Sequence, residues 1–263
     1  MSTETKEDKL LLATLNDKLR QCEAKAYPTN STFLDVRQQE LAKYELAASH
    51  ASYLFWGGYA GAERQVVIFL PEYMDNAAAK ASFGSVYPEN NPLAVLRVTP
   101  AAKTARLSHR DYLGALLSLG IERARLGDIL VRPEGADIVI LRELADFLQL
   151  NFTRAGRHEL AGQVLDTNAI SAYEAASRDF AANVPSLRLD SVAAAAFGVS
   201  RSKCADAIAA KLLAINGLVT ARPDQNVAEG DRITWRGKGK AELSLIGGRS
   251  KKGRIFITLK RYI

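Results

Sequence analysis

The residues with the strongest claim to chemistry lie near the C-terminus. Ser200-Arg201-Ser202-Lys203 opens a run of helix formers, and a serine just before such a run is an N-cap. A helix N-terminus presents free N–H groups and the positive end of the peptide dipoles, and both attract phosphate. Arg201 and Lys203 add full charges there, Ser202 adds a hydroxyl, and Arg188 on a preceding short helix can face the same groove. The competing reading is a solvated helix start in which Asp190 pairs Arg188 or Arg201. A second group follows: Arg236, Lys238 and Lys240, then Arg249, Lys251, Lys252 and Arg254, interleaved with five glycines from Gly237 to Gly253. Glycine lacks a Cβ, so the backbone can approach a phosphate closely; the competing reading here is a solvated charged face.

Strings that suggest catalysis fail on spacing. His109-Arg110-Asp111 matches the kinase catalytic loop, but that loop needs Asn five residues after the Asp, and Leu116 stands there. Ser108 and Asp111 fit a helix capping box instead, leaving Arg110, Arg123 and Arg125 as RNA contacts or a solvated face. Gly57, Gly58 and Gly61 run into Ala62-Glu63-Arg64, not into the Gly-Lys-Ser/Thr of a phosphate loop. His50, His109 and His158 lack metal-ligand spacing, and Cys22 and Cys204 form neither a zinc pattern nor a disulfide framework. No metal and no cofactor is expected.

Charge is distributed unevenly. From Pro185 to Ile263 there are 15 Lys and Arg against six Asp and Glu, a net +9, whereas the other 184 residues carry −3. A basic segment on a slightly acidic body points to a polyanionic partner. With no amphipathic anchor in view, nucleic acid is favoured over membrane. No apolar stretch approaches the ~20 residues that span a bilayer. The start, MSTETKEDK, has no signal-peptide pattern. The expectation is a cytoplasmic monomer that does not meet a membrane.

These groups need positioning elements. Apolar spacing predicts a helix over 6–26, with Leu10, Leu11, Thr14, Leu15, Leu19 and Cys22 on one face. A second helix over 36–49 follows N-cap Asp35, its apolar residues including Tyr44, and a strand covers 65–70. The segment 83–183 reads β-α-β-β-α-β, with strands near 93–98, 129–132, 137–141 and 157–165 and helices after Ser108 and from Arg142. That order is ferredoxin-like, as in RNA-recognition-motif domains. Residues 170–185 read as helical or linker. The expected class is α+β in three modules: mostly helical over 1–82, ferredoxin-like over 83–183, and basic over 184–263.

The basic module resembles the RNA-binding domain first defined in ribosomal protein S-four. The matching residues are Arg188-Leu189-Asp190, Ser200-Arg201-Ser202, Ile215-Asn216-Gly217 and Gly230-Asp231, in order and at the right spacing. The resemblance implies that Arg188, Ser200, Arg201, Ser202, Lys203 and Asn216 contact RNA, and Lys211 adds a cation beside that surface. Lys211 is a departure, since that family usually ends its second helix in glycine. Among enzymes carrying this domain, pseudouridine synthases need Gly-Arg-Leu-Asp, and the nearest string here is Gly156-Arg157-His158-Glu159. Methyltransferase and synthetase nucleotide strings are absent, so a non-enzymatic protein is expected.

With LSHRDYLGALLSLGIERARLGDILV and GGYAGAER, the chain is similar to the YlmH family of bacterial RNA-binding proteins over nearly its whole length. The resemblance implies ribosomal RNA and tRNA as partners on the large ribosomal subunit. The implied role is in ribosome-associated quality control, where alanine is added to stalled chains. The rival expectations are a protein-binding adaptor in cell division and an RNA-modifying enzyme without a recognisable motif.

Overall fold

The computed structural model describes residues 5–47, 49, 51–83, 91–102, 104–170 and 177–262. Its contacts divide the chain into two compact units, meeting at 173/174.

The first unit is layered helix, sheet, sheet, helix. Helix α1 (Lys6–Lys25) starts on a capping box: Thr5 Oγ1 accepts from the Asp8 N–H, and Asp8 accepts from the Thr5 N–H. Asp8 also accepts two hydrogen bonds from Arg37 on α2 (Val36–Leu46), at 2.7 and 2.6 Å, which ties the two helices together. Strands β1 (Thr29–Asn30), β2 (Ser52–Trp56) and β3 (Val66–Leu70) form an antiparallel sheet with β3 central. Side chains alternate along a strand. Val67 and Phe69 therefore pack on Leu15, Cys22 and Leu46 of the helices, and Val66, Ile68 and Leu70 face the other way.

That other way lies a second sheet. Its strands are β4 (Leu93–Pro100), β5 (Leu126–Arg132), β6 (Gly135–Leu141), β7 (Arg154–Ala155) and β8 (His158–Leu165), in the order β5-β6-β4-β8-β7. Helices α4 (His109–Ser118) and α5 (Ala145–Asn151) cover one face, packing on Ala94, Leu96, Ile138 and Ile140. The opposite face, with Leu93, Val95, Leu130, Val139 and Leu141, packs against Phe33, Leu54, Val66 and Ile68. Helix α3 (Asn76–Phe83) adds Ala79 and Phe83 to this inter-sheet core.

In the second unit a six-stranded antiparallel sheet carries two short helices. The strands are β9 (Ser177–Val184), β10 (Leu213–Ile215), β11 (Leu218–Val219), β12 (Arg232–Trp235), β13 (Gly239–Arg249) and β14 (Ile255–Tyr262). They are ordered β11-β10-β12-β13-β14-β9. Helices α6 (Leu189–Phe197) and α7 (Arg201–Ala209) bury Val192, Phe197, Cys204 and Ile208 against Leu213, Ile233, Leu243 and Ile257.

The class is α+β and the β-α-β-β-α-β order of the middle segment is present, but several expectations change. Residues 1–82 are mostly helical with some strand, as expected, but their strands form a three-stranded sheet at the centre rather than the single strand foreseen. They share the inter-sheet core with the segment that follows, so these two segments pack as one unit. The stretch expected as linker is β9, paired over eight residues with β14, so the second unit begins upstream of 184; residues 171–176 of that stretch lie outside the described ones. Leu10 is 69% and Tyr44 82% exposed, so neither belongs to the apolar face expected of its helix.

Gly127 on β5 packs directly against the Phe33 ring in the inter-sheet core. A Cβ there would sit 2.8 Å from Phe33 Cε1 and 3.0 Å from Val139 Cβ. Overpacking of such contacts costs about 1–3 kcal/mol, so Gly127→Leu should destabilise the first unit by about 3 kcal/mol. Calorimetry should show that transition fall while the transition of the second unit stays in place.

Candidate nucleic-acid interface

Helix α7 begins as its sequence demands. Ser200 is the N-cap and its Oγ accepts from the Lys203 N–H at 3.2 Å. Arg201, Ser202 and Lys203 are exposed on the first turn. Arg188 is not within a helix; it occupies the N-cap of α6 with extended backbone. Arg188 and Arg201 are brought together by Asp190. Arg201 donates to Oδ2 at 2.8 Å, and Arg188 donates to Oδ1 at 3.3 Å and Oδ2 at 3.4 Å. The Asp190 side chain is buried, whereas the arginines keep 41% and 50% of theirs exposed. The competing reading of the sequence is thus realised in the ion pairs, yet both guanidinium groups still face solvent. Burial pushes the Asp190 carboxyl up, but the hydrogen bonds and charges of Arg201 and Arg188 outweigh it, and its pKa lies below the ordinary value.

Two further positions have structural duties. Asn216 and Gly217 both take positive φ, 49° and 77°, the signature of a tight hairpin turn between β10 and β11. The Asn216 amide donates to Asp231 Oδ1 at 2.8 Å, and its Oδ1 accepts from the Arg232 N–H at 2.9 Å. Asp231 Oδ2 accepts from the Ala228 N–H. Both ends of the amide expected to meet RNA are therefore bonded within the unit, and the Asn-Gly and Gly-Asp motifs prove to be the two halves of one lock. Lys211 takes φ 57° just after α7. Its N–H donates to the Ile208 carbonyl and that of Leu212 to the Ala207 carbonyl, which is the bond pattern of a Schellman motif.

The tail cations separate. Strand β13 is 11 residues long, about 33 Å at ~3.3 Å per residue. Arg236 and Lys238 lie in the turn before it, and Lys240 is its second residue, opposite Thr234. Arg249 ends it, and Lys251 and Lys252 lie in the turn beyond. The sequence-adjacent group is thus two groups at opposite ends of a strand. At the first end the Arg236 N–H donates to the Leu212 carbonyl, beside Lys211. The Lys238 ammonium lies 5.5 Å from the Trp235 ring, and Trp235 meets Phe197 edge to face. Arg261, which the sequence did not single out, sits over Phe197 and donates to the Lys238 carbonyl. Its neighbours come from three segments, so no local pattern marks it. At the second end Arg254 donates to the side chain and the carbonyl of Asn183, fixing the start of β14 to β9.

In the first unit, Asp111 accepts from the Ser108 N–H and Oγ; the His-Arg-Asp string is a helix cap. Arg123 donates to the Leu126 and Gly127 carbonyls, and burial lowers its pKa to about 10, so it holds backbone together. Arg125 pairs with Glu143. Among the described residues no three His, Cys, Asp or Glu side chains gather as a metal site, and no helix is long and apolar enough to cross a membrane; His50 lies outside them. Burial pushes the Cys204 thiol up to about 11, which makes it a poor nucleophile.

Comparison with known proteins agrees with this architecture. The family model described as "Putative RNA-binding domain in YlmH" matches residues 88–168. "Ribosome-associated protein quality control protein P2" of Bacillus subtilis (strain 168) is 31% identical over 233 residues, covering 87% of this chain and 85% of that protein. Among solved structures, "Cell division protein ylmH from Streptococcus pneumoniae" superposes with TM-score 0.51 at 18% identity, covering 65% of this chain and 98% of that one; this is a likeness of fold.

Two outcomes test the site's architecture. Asp190→Asn removes the charge from both arginines and should destabilise the second unit by about 2–3 kcal/mol at neutral pH. A depressed carboxyl contributes stability above its unfolded pKa and loses it as pH falls through the folded value. Unfolding followed between pH 7 and pH 2 should therefore show a steeper acid loss in the parent than in the variant. Lys211→Gly should stabilise the unit by about 0.5–1 kcal/mol, because a non-glycine residue is strained at positive φ; chemical denaturation reads this directly.

Proposed function

The chain belongs to the YlmH family, and from that premise we propose that it binds structured ribosomal RNA and peptidyl-tRNA on the large ribosomal subunit in ribosome-associated quality control, assisting alanine tailing of stalled chains. The second unit, in this reading, is an S-four-type domain and the main RNA grip. The observation that carries the reading is the +9 segment from Pro185 to Ile263, whose cations are set out by two helix starts and two hairpin turns and outnumber its acids. Arg188 and Arg201 share one carboxylate, so their cluster keeps a positive charge beside the N–H groups of α7. Lys203, Lys211, Arg236 and Lys238 supply phosphate contacts at one end, with Ser200, Ser202 and Lys240 beside them. Arg249, Lys251 and Lys252 supply them at the other end. Asn216 and Arg254 shape the surface rather than touch RNA.

The reading assigns the protein no catalysis of its own. The matched family description names RNA binding and the Bacillus relative's name quality control. It acts as a monomer in the cytoplasm.

Sedimentation of lysate through a sucrose gradient tests the assignment. Co-migration with free large subunits is expected; migration apart from all ribosomal fractions would favour the adaptor in cell division. Affinity for a stem-loop of large-subunit RNA should fall steeply with salt, with a log–log slope magnitude above about 2, because each neutralised phosphate releases counterions.

Paired variants resolve the two ends of β13. Lys203→Ala with Arg236→Ala, and separately Lys251→Ala with Lys252→Ala, should each weaken binding by about 1–3 kcal/mol. Lys6→Ala with Lys9→Ala should leave it unchanged. Arg201 is unsuited to this test because its removal also strips Asp190 of a partner.

A further inference from the structure

We propose that the first unit carries a second RNA site, a groove between α4 and the β7–β8 turn that receives the sugar–phosphate backbone. The proposal rests on the reading above that the chain binds RNA, and it says where the segment matched by the YlmH RNA-binding family model does so.

The first argument is exclusion. Domains of the β-α-β-β-α-β type read RNA by stacking bases on aromatic residues of the open sheet face. Here that face is closed: Leu93, Val95, Val139 and Leu141 are buried against the three-stranded sheet. Among the described residues, the part of the face beyond that core offers Arg97, Thr99 and Gln163 and no aromatic residue. Arg97 and Arg132 are both drawn onto the buried Asp137. Among the described residues, neither a stacking platform nor a cation outside the Asp137 pairs is left there for a nucleic acid.

The second argument is the groove, of about 640 Å³, lined among others by Arg110, Asp111, Gly114, Ser118, Arg154 and Gly156. Among the described residues neither the Arg110 nor the Arg154 guanidinium makes a hydrogen bond or an ion pair. They come from different elements, α4 and β7, and line one groove. The carboxylate in the groove, Asp111, already accepts from the Ser108 N–H and Oγ, and Arg110 is one of the charges that lower its pKa. Gly114 and Gly156 keep the walls low: a Cβ added at either meets nothing within 4 Å. Gly156 also takes φ 59°, which lets the chain turn tightly between β7 and β8, just before exposed Arg157. Two unpaired guanidinium groups above a small-residue floor suit a phosphodiester, which Arg binds through paired N–H donors. They do not suit an apolar ligand.

The test uses the full chain and a fluorescently labelled RNA stem-loop, with affinity followed across salt concentrations. Arg110→Ala with Arg154→Ala should lower affinity roughly tenfold and reduce the salt slope by about 1–2, since each lost phosphate contact removes about one unit. Gly114→Glu should do the same by filling and charging the groove. Glutamate is a better helix former than glycine, so this variant keeps the proposal testable if the double variant fails to fold. Affinity and slope equal to the parent in folded Gly114→Glu would overturn the groove while leaving the C-terminal grip intact. A parent chain that binds the stem-loop without salt dependence would overturn the RNA-binding reading itself, and the groove with it.

Discussion

Burial of both faces of the five-stranded sheet is the constraint from which most of the molecule follows. Strand β6 is buried at every position: Ala136, Ile138 and Ile140 serve the α4/α5 layer, and Val139 and Leu141 the inter-sheet core. Once Phe33, Leu54, Val66 and Ile68 occupy the outer face, that surface is committed to stability. Recognition has to move to helices, turns and hairpin tips. Surfaces of that kind present side-chain charge and backbone N–H groups, which suit a phosphate backbone better than a base edge.

The second unit meets the same demand with few carboxylates. Clustered cations repel one another, and cations in the first turn of a helix oppose its dipole. Asp190 relieves both: from a buried position it draws Arg188 and Arg201 together without covering them. The Phe197–Trp235 pair does similar work for Lys238 and Arg261, which lie over the aromatic rings instead of against an acid. Positive charge is thereby held in place without being cancelled.

What the sequence disclosed is mostly local. Asp35, Ser108 with Asp111 and Ser200 each act over three or four residues, and each stands where its chemistry predicts. What it concealed is long-range. Strand β9 escaped because Ala181 and Ala182 carry almost no contrast between its faces; only the partner β14 shows that Phe180, Ala182 and Val184 point inward. The tail cations read as one patch because a linear sequence does not register the extended strand between them. Asn216 and Asp231 are fifteen residues apart, beyond the reach of any periodicity. The first unit's open turn at Gly156 was likewise visible only as a failed catalytic string.

Strand β9 also determines where the polypeptide can be divided. It is the outermost strand of its sheet and covers all eight residues of β14. A fragment beginning at residue 184 would leave β14 with a row of unpaired N–H and C=O groups, next to the half-exposed Phe256 and Leu245. Such an edge is a template for strand addition by another chain. The natural seam therefore precedes β9, whose eight residues complete the backbone hydrogen bonding of β14.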